Sequence, residues 1–184
     1  MPVTEQTYQA VALEDPEGQW ELHRGRLREK PAMTASHNQV GIDPAFAIMQ
    51  QLDRSEYTVR VDSARAKRSH ETYDIPDVLV VPTRLVAPRL GRTDTLEVYE
   101  EPLPLVAEIW SPTTGTYDID TKFPAYRERG DAEIWRLHPF EQRLTIWRRQ
   151  PDGNYEESSY RGGTVQLHAL PSASIHIDEL FVPD

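Results

Sequence analysis

The ten residues Leu103-Pro104-Leu105-Val106-Ala107-Glu108-Ile109-Trp110-Ser111-Pro112 constrain the fold more than any other stretch. The run is apolar at odd and even positions alike, so it predicts a short strand covered on both faces, in the middle of a sheet. One carboxylate, Glu108, interrupts it. A charge among apolar neighbours is costly unless it is paired, protonated or bound to a metal. The run Ile75-Pro76-Asp77-Val78-Leu79-Val80-Val81-Pro82 repeats the pattern. Its bounding prolines suit the start and stop of a strand, and Asp77 sits at its edge.

The remaining elements follow from spacing and turn signals. Thr7 to Leu13 suits a short helix, and Trp20 to Arg28 a hairpin turning at Gly25. In Ser36 to Leu52, Ala45, Ile48, Met49 and Leu52 fall at helical spacing on one face. Pro44 either kinks this helix or opens it behind an Asp43 cap. Tyr57 to Val61 predicts a strand, and Ser63 to Asp74 is polar. Thr83 to Pro102 is loop-rich. After Glu108 the chain turns at Pro112 to Thr116 and enters a helix from about Asp118 or Asp120 to Arg129, closed by Gly130. Pro124 fits that helix only within its first turn, where no intrahelical N–H is needed. Four strand-like segments follow: Ala132 to Leu137, Arg143 to Arg149, Tyr155 to Tyr160 and Thr164 to His168. Leu180 and Phe181 in the tail pack on the body. This order predicts an α/β (mixed α+β) core with an antiparallel C-terminal meander, as a single domain over residues 1–184.

Charge and cysteine content narrow the chemistry. A formal net charge of −10 argues against a broad basic surface for nucleic acid, though not against a local basic groove. With no cysteine, thiolate metal sites, disulfides and cysteine nucleophiles are excluded. No apolar run has the length of a membrane span, and Met1 to Trp20 lacks a signal-peptide core, so the expected location is cytoplasmic. Two carboxylates on central strands supply hard oxygen ligands for Mg²⁺ or Mn²⁺. Lys122, just past the second strand, is placed to orient a water and offset charge on a phosphate.

In this order, Pro76-Asp77, Glu108 and Lys122 resemble the PD-(D/E)XK nuclease superfamily, and within it the Uma-two family of bacterial endonucleases. The likeness runs from Trp20-Glu21-Leu22-His23-Arg24-Gly25 through His37 and Pro76-Asp77 to Glu108-Ile109-Trp110-Ser111-Pro112-Thr113-Thr114, then Lys122, Tyr126, Gly130 and Trp135. It implies a restriction-endonuclease-like core, a central mixed sheet flanked by helices. The implied activity is Mg²⁺- or Mn²⁺-dependent hydrolysis of DNA phosphodiester bonds, with Asp77 and Glu108 as metal ligands, Lys122 as the third catalytic group and His37 as an accessory. The superfamily lysine lies two residues after the second acid; here that position is Trp110, so Lys122 has to reach back from the helix.

Each residue also has a fold-only reading. Glu108 would pair with an arginine such as Arg136; Asp77 would start a strand; Lys122 would be solvated; His37 would cap its helix; Glu21 would serve the hairpin. Ser111 suits a turn better than a nucleophile, because no His–acid pair is spaced to activate it. Arg65, Lys67 and Arg68, and Arg84, Arg89 and Arg92, suit solvated loops or local phosphate contacts, and Tyr73 is a candidate for stacking on a base. The rival to the nuclease is a catalytically silent scaffold used for binding or assembly. A homodimer, joined by exposed aromatics or an edge of the meander, is a further expectation.

Overall fold

In a computed structural model the described residues are 2–31 and 35–181, with the side chains of 35–39 outside the description. Helix α1 (Glu5–Glu14) is capped by Thr4, whose side chain accepts from the Thr7 N–H. Strands β1 (Trp20–His23) and β2 (Arg26–Glu29) form the expected hairpin, and Gly25 turns it at φ +73°. Helix α2 (Ala35–Gln51) carries Pro44 within it, so the proline neither opens nor stops the helix. Strand β3 (Tyr57–Val61) follows.

The polar stretch from Ser63 to Asp74 is not loop. It forms β4 (Arg65–Ser69) and β5 (Thr72–Asp74). Its signal was masked because Arg65 is buried by donating to Tyr8, and Lys67 is anchored by Glu5 and Glu100. Tyr73 is wholly buried, with its hydroxyl on Glu5, and offers no face for a base. Next come β6 (Val78–Pro82), the short helix α3 (Thr83–Val86) and β7 (Val98–Tyr99), which give the loop-rich stretch more order than expected. Strand β8 (Leu105–Ile109) is buried at every position.

Beyond β8 the chain is helical from residue 115 to 129: α4 (Gly115–Tyr117), a π-helical turn (Asp118–Lys122) and α5 (Phe123–Arg129). This run starts earlier than the sequence suggests, at Gly115, and Pro124 lies in the first turn of α5, its last segment, as expected. The preceding π turn accommodates it: Phe123 N–H reaches back five residues to Asp118 O, shifting the ladder just where proline brings no donor. Gly130, at φ +81°, ends the helix as expected. Strands β9 (Glu133–His138), β10 (Arg143–Arg149), β11 (Tyr155–Tyr160), β12 (Thr164–Gln166) and β13 (Ser174–His176), then helix α6 (Ile177–Leu180), complete the chain.

The main sheet has six strands in the order β11-β10-β9-β8-β6-β3. β8 and β9 are parallel, and every other neighbouring pair is antiparallel. A parallel pair needs a crossover, and the helical run 115–129 provides it. One face of the sheet packs Leu105, Ala107 and Ile109 against α2 and the C-terminal segment, where Leu180 and Phe181 are buried as expected. The other face packs Val106 and Ile134 against Phe123 and Tyr126 of the crossover. A second sheet, β2-β1-β5-β4-β7, carries α1 on Tyr8, Ala12, Leu22 and Tyr73. Among the described residues, no helix is long and apolar enough to cross a membrane.

Candidate active site

Asp77 stands immediately before β6, and Val78 pairs with Ala107 of β8. Continuing that antiparallel register by one residue sets Asp77 opposite Glu108. Both are 2 % exposed. Asp77 Oδ2 accepts from the Ile109 N–H at 2.5 Å, and Oδ1 accepts from Lys30 Nζ at 2.5 Å. Glu108 Oε1 accepts from the Tyr126 hydroxyl at 2.5 Å.

Lys122 does reach back, from the π turn. Its Nζ lies 2.8 Å from Glu21 Oε1, 3.2 Å from Glu108 Oε1 and 3.8 Å from Asp118 Oδ1. It also donates to the carbonyl of Ile75. The three expected residues therefore meet in one pocket, with Glu21, Lys30 and Asp118 beside them and Arg28, Pro31 and Tyr117 around them. The space between these groups suits roughly one water-sized occupant. The side chain of His37 lies outside the described residues.

Several partners were not foreseen. Glu21 does serve the hairpin, since Oε1 accepts from the Ile75 N–H at 2.8 Å, but the same oxygen also anchors Lys122. Lys30, just beyond the hairpin, bridges Asp77 to Asp62. Asp118, Lys122 and Tyr126 follow one another at four-residue spacing, the helical signal that would have identified all three as one face. Arg136, the fold-only partner for Glu108, sits beside it in register, yet the bonds Glu108 makes go to Lys122 and Tyr126.

Electrostatics decide what the pocket can hold. Burial works against the Lys122 ammonium, but Glu108, Glu21 and Asp118 outweigh it and hold the pKa well above its ordinary value. Lys122 is thus a permanent cation and a hydrogen-bond donor, not a base. Burial pushes Glu108 well above the carboxylate range despite Lys122, and raises Asp118 in the same way. Asp74 lies nearby, fully buried with neither oxygen bonded among the described residues; burial, then Glu21, lifts it to about 8.

A divalent cation is implied by the residue types and can be tested against them. Among the described residues, no three acidic or histidine side chains form a ready metal cage. However, Mg²⁺ commonly takes only one or two carboxylates and keeps several waters. Four carboxylates line the pocket beside the cations of Arg28, Lys30 and Lys122, and burial raises two of them, Glu108 and Asp118. A carboxylate has about four lone-pair sites, and Glu108 accepts from Tyr126 and Lys122. The donor set is of the hard-oxygen kind that a divalent ion takes.

Comparisons with known proteins bear on the same geometry. The crystal structure of "a putative nuclease belonging to DUF820" from Anabaena variabilis ATCC 29413 is similar, with a TM-score of 0.77 and 18 % identity over 98 % of each chain. At that identity the likeness speaks to the fold, which is restriction-endonuclease-like as the sequence suggested. No curated protein matches the chain. The Uma2 family model, described as "Putative restriction endonuclease", matches residues 5–178. That match spans nearly the whole chain and takes in every acid and lysine of the pocket, so this protein belongs to the Uma2 family.

Proposed function

We propose that this protein is a divalent-metal-dependent endonuclease that hydrolyses DNA phosphodiester bonds. The observation that carries the reading is the meeting of Asp77, Glu108 and Lys122, from three separate elements, in one buried pocket lined by four carboxylates. Asp77 and Glu108 would hold Mg²⁺ or Mn²⁺. The ion supplies Lewis-acid polarisation of a phosphoryl oxygen. Lys122, held charged by its three acids, offsets charge growing on the phosphate and orients the attacking water by donating to it. Tyr126 and the Ile109 N–H fix the two carboxylates so that little reorganisation accompanies the reaction.

Cleavage of plasmid and oligonucleotide DNA with Mg²⁺ or Mn²⁺ tests this. Wild type should cut, and Asp77→Ala and Glu108→Ala should each lose at least about a hundredfold in rate, as expected when a preorganised charge is removed. Equal rates in all three proteins end the proposal.

One observation favours a second reading, a silent scaffold used for binding. Lys30 Nζ sits on Asp77 Oδ1 at 2.5 Å, so a lysine already neutralises the first acid. The scaffold reading predicts no saturable Mn²⁺ binding. Calorimetry that finds a Mn²⁺ site in wild type and none in Glu108→Gln excludes it.

A further inference from the structure

On the sheet face that carries Glu108, three strands end in side chains that the acid pocket does not use. Arg136 of β9 is the register neighbour of Glu108. Adjacent strands lie about 4.8 Å apart, so this guanidinium stems from the edge of the pocket. His138, two residues on, pairs with Arg143 of β10. The Nε atoms of Arg136 and Arg143 are buried and have no hydrogen-bond partner among the described residues. Burial, and then the charge of Arg143, lower the pKa of Arg136. Neither Nε donor is used among the described residues, the carboxylate beside the pair is Glu141 on Arg143, and phosphate matches the planar, forked donors of both.

An aromatic stack adjoins them. Trp110 lies flat on His138, with ring centroids 4.2 Å apart and planes 16° apart. Phe140 stands edge-on to both and is 73 % exposed. Gly115 makes room for the indole, since a Cβ there would lie 1.9 Å from Trp110 Nε1. Glu141 caps the group, 2.5 Å from Arg143 and 3.4 Å from His138. Of these rings Phe140 is exposed and Trp110 half-buried, and aromatic rings beside guanidiniums are the elements that bind unpaired bases and their phosphates. In a duplex the base faces are already stacked and cannot be reached this way.

We propose that the ends of β8, β9 and β10 form a subsite for an unpaired nucleotide of the DNA, next to the bond to be cut. Trp110 and Phe140 take the base, and Arg136 and Arg143 take the adjacent phosphate in place of Glu141. The subsite rests on the nuclease reading for the identity of the polymer and for the bond it adjoins. Trp110, at the position where the superfamily has its lysine, is then a residue that selects substrate structure.

The test is anisotropy of labelled oligonucleotides bound to the whole protein in EDTA, where binding is read without cleavage. Single-stranded DNA should bind at least about tenfold more tightly than the blunt duplex of the same sequence. It should also quench tryptophan fluorescence. Trp110→Leu and Phe140→Ser should each weaken single-strand binding by about tenfold, Trp110→Phe should restore most of it, and Glu141→Gln should strengthen it several-fold. Phe140 is exposed, so its replacement keeps the test sound if Trp110→Leu fails to fold. Equal affinity for single strand and duplex overturns the subsite, as do unchanged affinities in both Trp110→Leu and Phe140→Ser. A single-stranded RNA bound tenfold more tightly than DNA overturns the DNA assignment. A concentration-dependent dimer that Phe140→Ser dissolves without altering DNA binding makes this face a self-contact instead. If single strands bind as expected but no DNA is cut with any metal, the nuclease reading fails and the subsite stands; cutting with unaltered binding in the variants gives the converse.

Discussion

Lys122 is the residue on which the pocket's charge balance turns. It is 2 % exposed and serves Glu21, Glu108 and Asp118 together. Breaking a buried pair by removing one partner costs about 3–5 kcal/mol, because the other charge stays buried. Lys122→Met should therefore destabilise the protein by about that much at pH 8, read from urea unfolding. The loss should shrink at pH 5. Glu108 and Asp118 have folded pKa values above their unfolded ones, so the folded state binds their protons more tightly. Such groups favour folding most at low pH and less as pH rises through the folded value. Asp74 extends the same logic to wild type. With an ordinary value near 3.8 and a folded value of about 8, its contribution should fall between those limits as pH rises. Asp74→Asn removes that titration, so its melting temperature should drop less than wild type's between pH 5 and pH 8.5. An identical drop in the two proteins would show that Asp74 does not carry the effect.

The element that builds the site is the crossover between β8 and β9, and its packing invites a direct test. Gly115 at its start lies against Trp110, and a methyl group would meet Nε1 at 1.9 Å. Gly115→Ala should cost about 1–3 kcal/mol through overpacking and should shift tryptophan emission by displacing the indole. A variant with wild-type stability and spectrum would mean that the helix start moves freely away from the sheet. The sequence exposed this crossover only in outline. The two central strands were legible because uninterrupted apolar runs admit few other placements, and Asp77 and Glu108 were legible because they break those runs. Gly130 announced the helix end. The helix start was obscured by Pro124, whose usual meaning is a first turn; here that turn is the first of α5, and α4 and a π turn precede it. Lys30, Asp74 and Asp118 stayed hidden for another reason. Each is an ordinary charged residue in a polar stretch, and only the long-range meeting of the hairpin with the main sheet buries it. The second sheet was missed likewise, because β4 keeps its charges by pairing them with α1.

At the scale of the whole molecule the acid pocket is a seam. Glu21 and Lys30 come from the hairpin sheet, and Asp77 and Glu108 from the main sheet and its edge. Lys30 on Asp77 and Lys122 on Glu21 cross between the two. The chain carries a net −10, so on the proposed reading attraction to DNA would not come from the surface as a whole and would be local to groups such as Arg136 and Arg143. A divalent cation in the seam would act on folding as well as on chemistry. It would bind carboxylates from neighbouring strands, offset the cost of burying their charged forms and stabilise the native state alone. At a concentration one hundred times its dissociation constant, such a ligand adds about 2.7 kcal/mol. Thermal melting with increasing Mn²⁺ should therefore raise the midpoint of wild type by several degrees at pH 8. Glu108→Gln keeps the size of the side chain and a hydrogen bond with Tyr126, but removes one buried charge. Its midpoint without metal should equal or exceed that of wild type, because a buried acid whose charged form burial penalises has gone while Glu21 and Asp118 still face Lys122, and Mn²⁺ should barely move it. Equal shifts in the two proteins would assign the stabilisation to other acids on this strongly negative chain and remove Glu108 from the metal site.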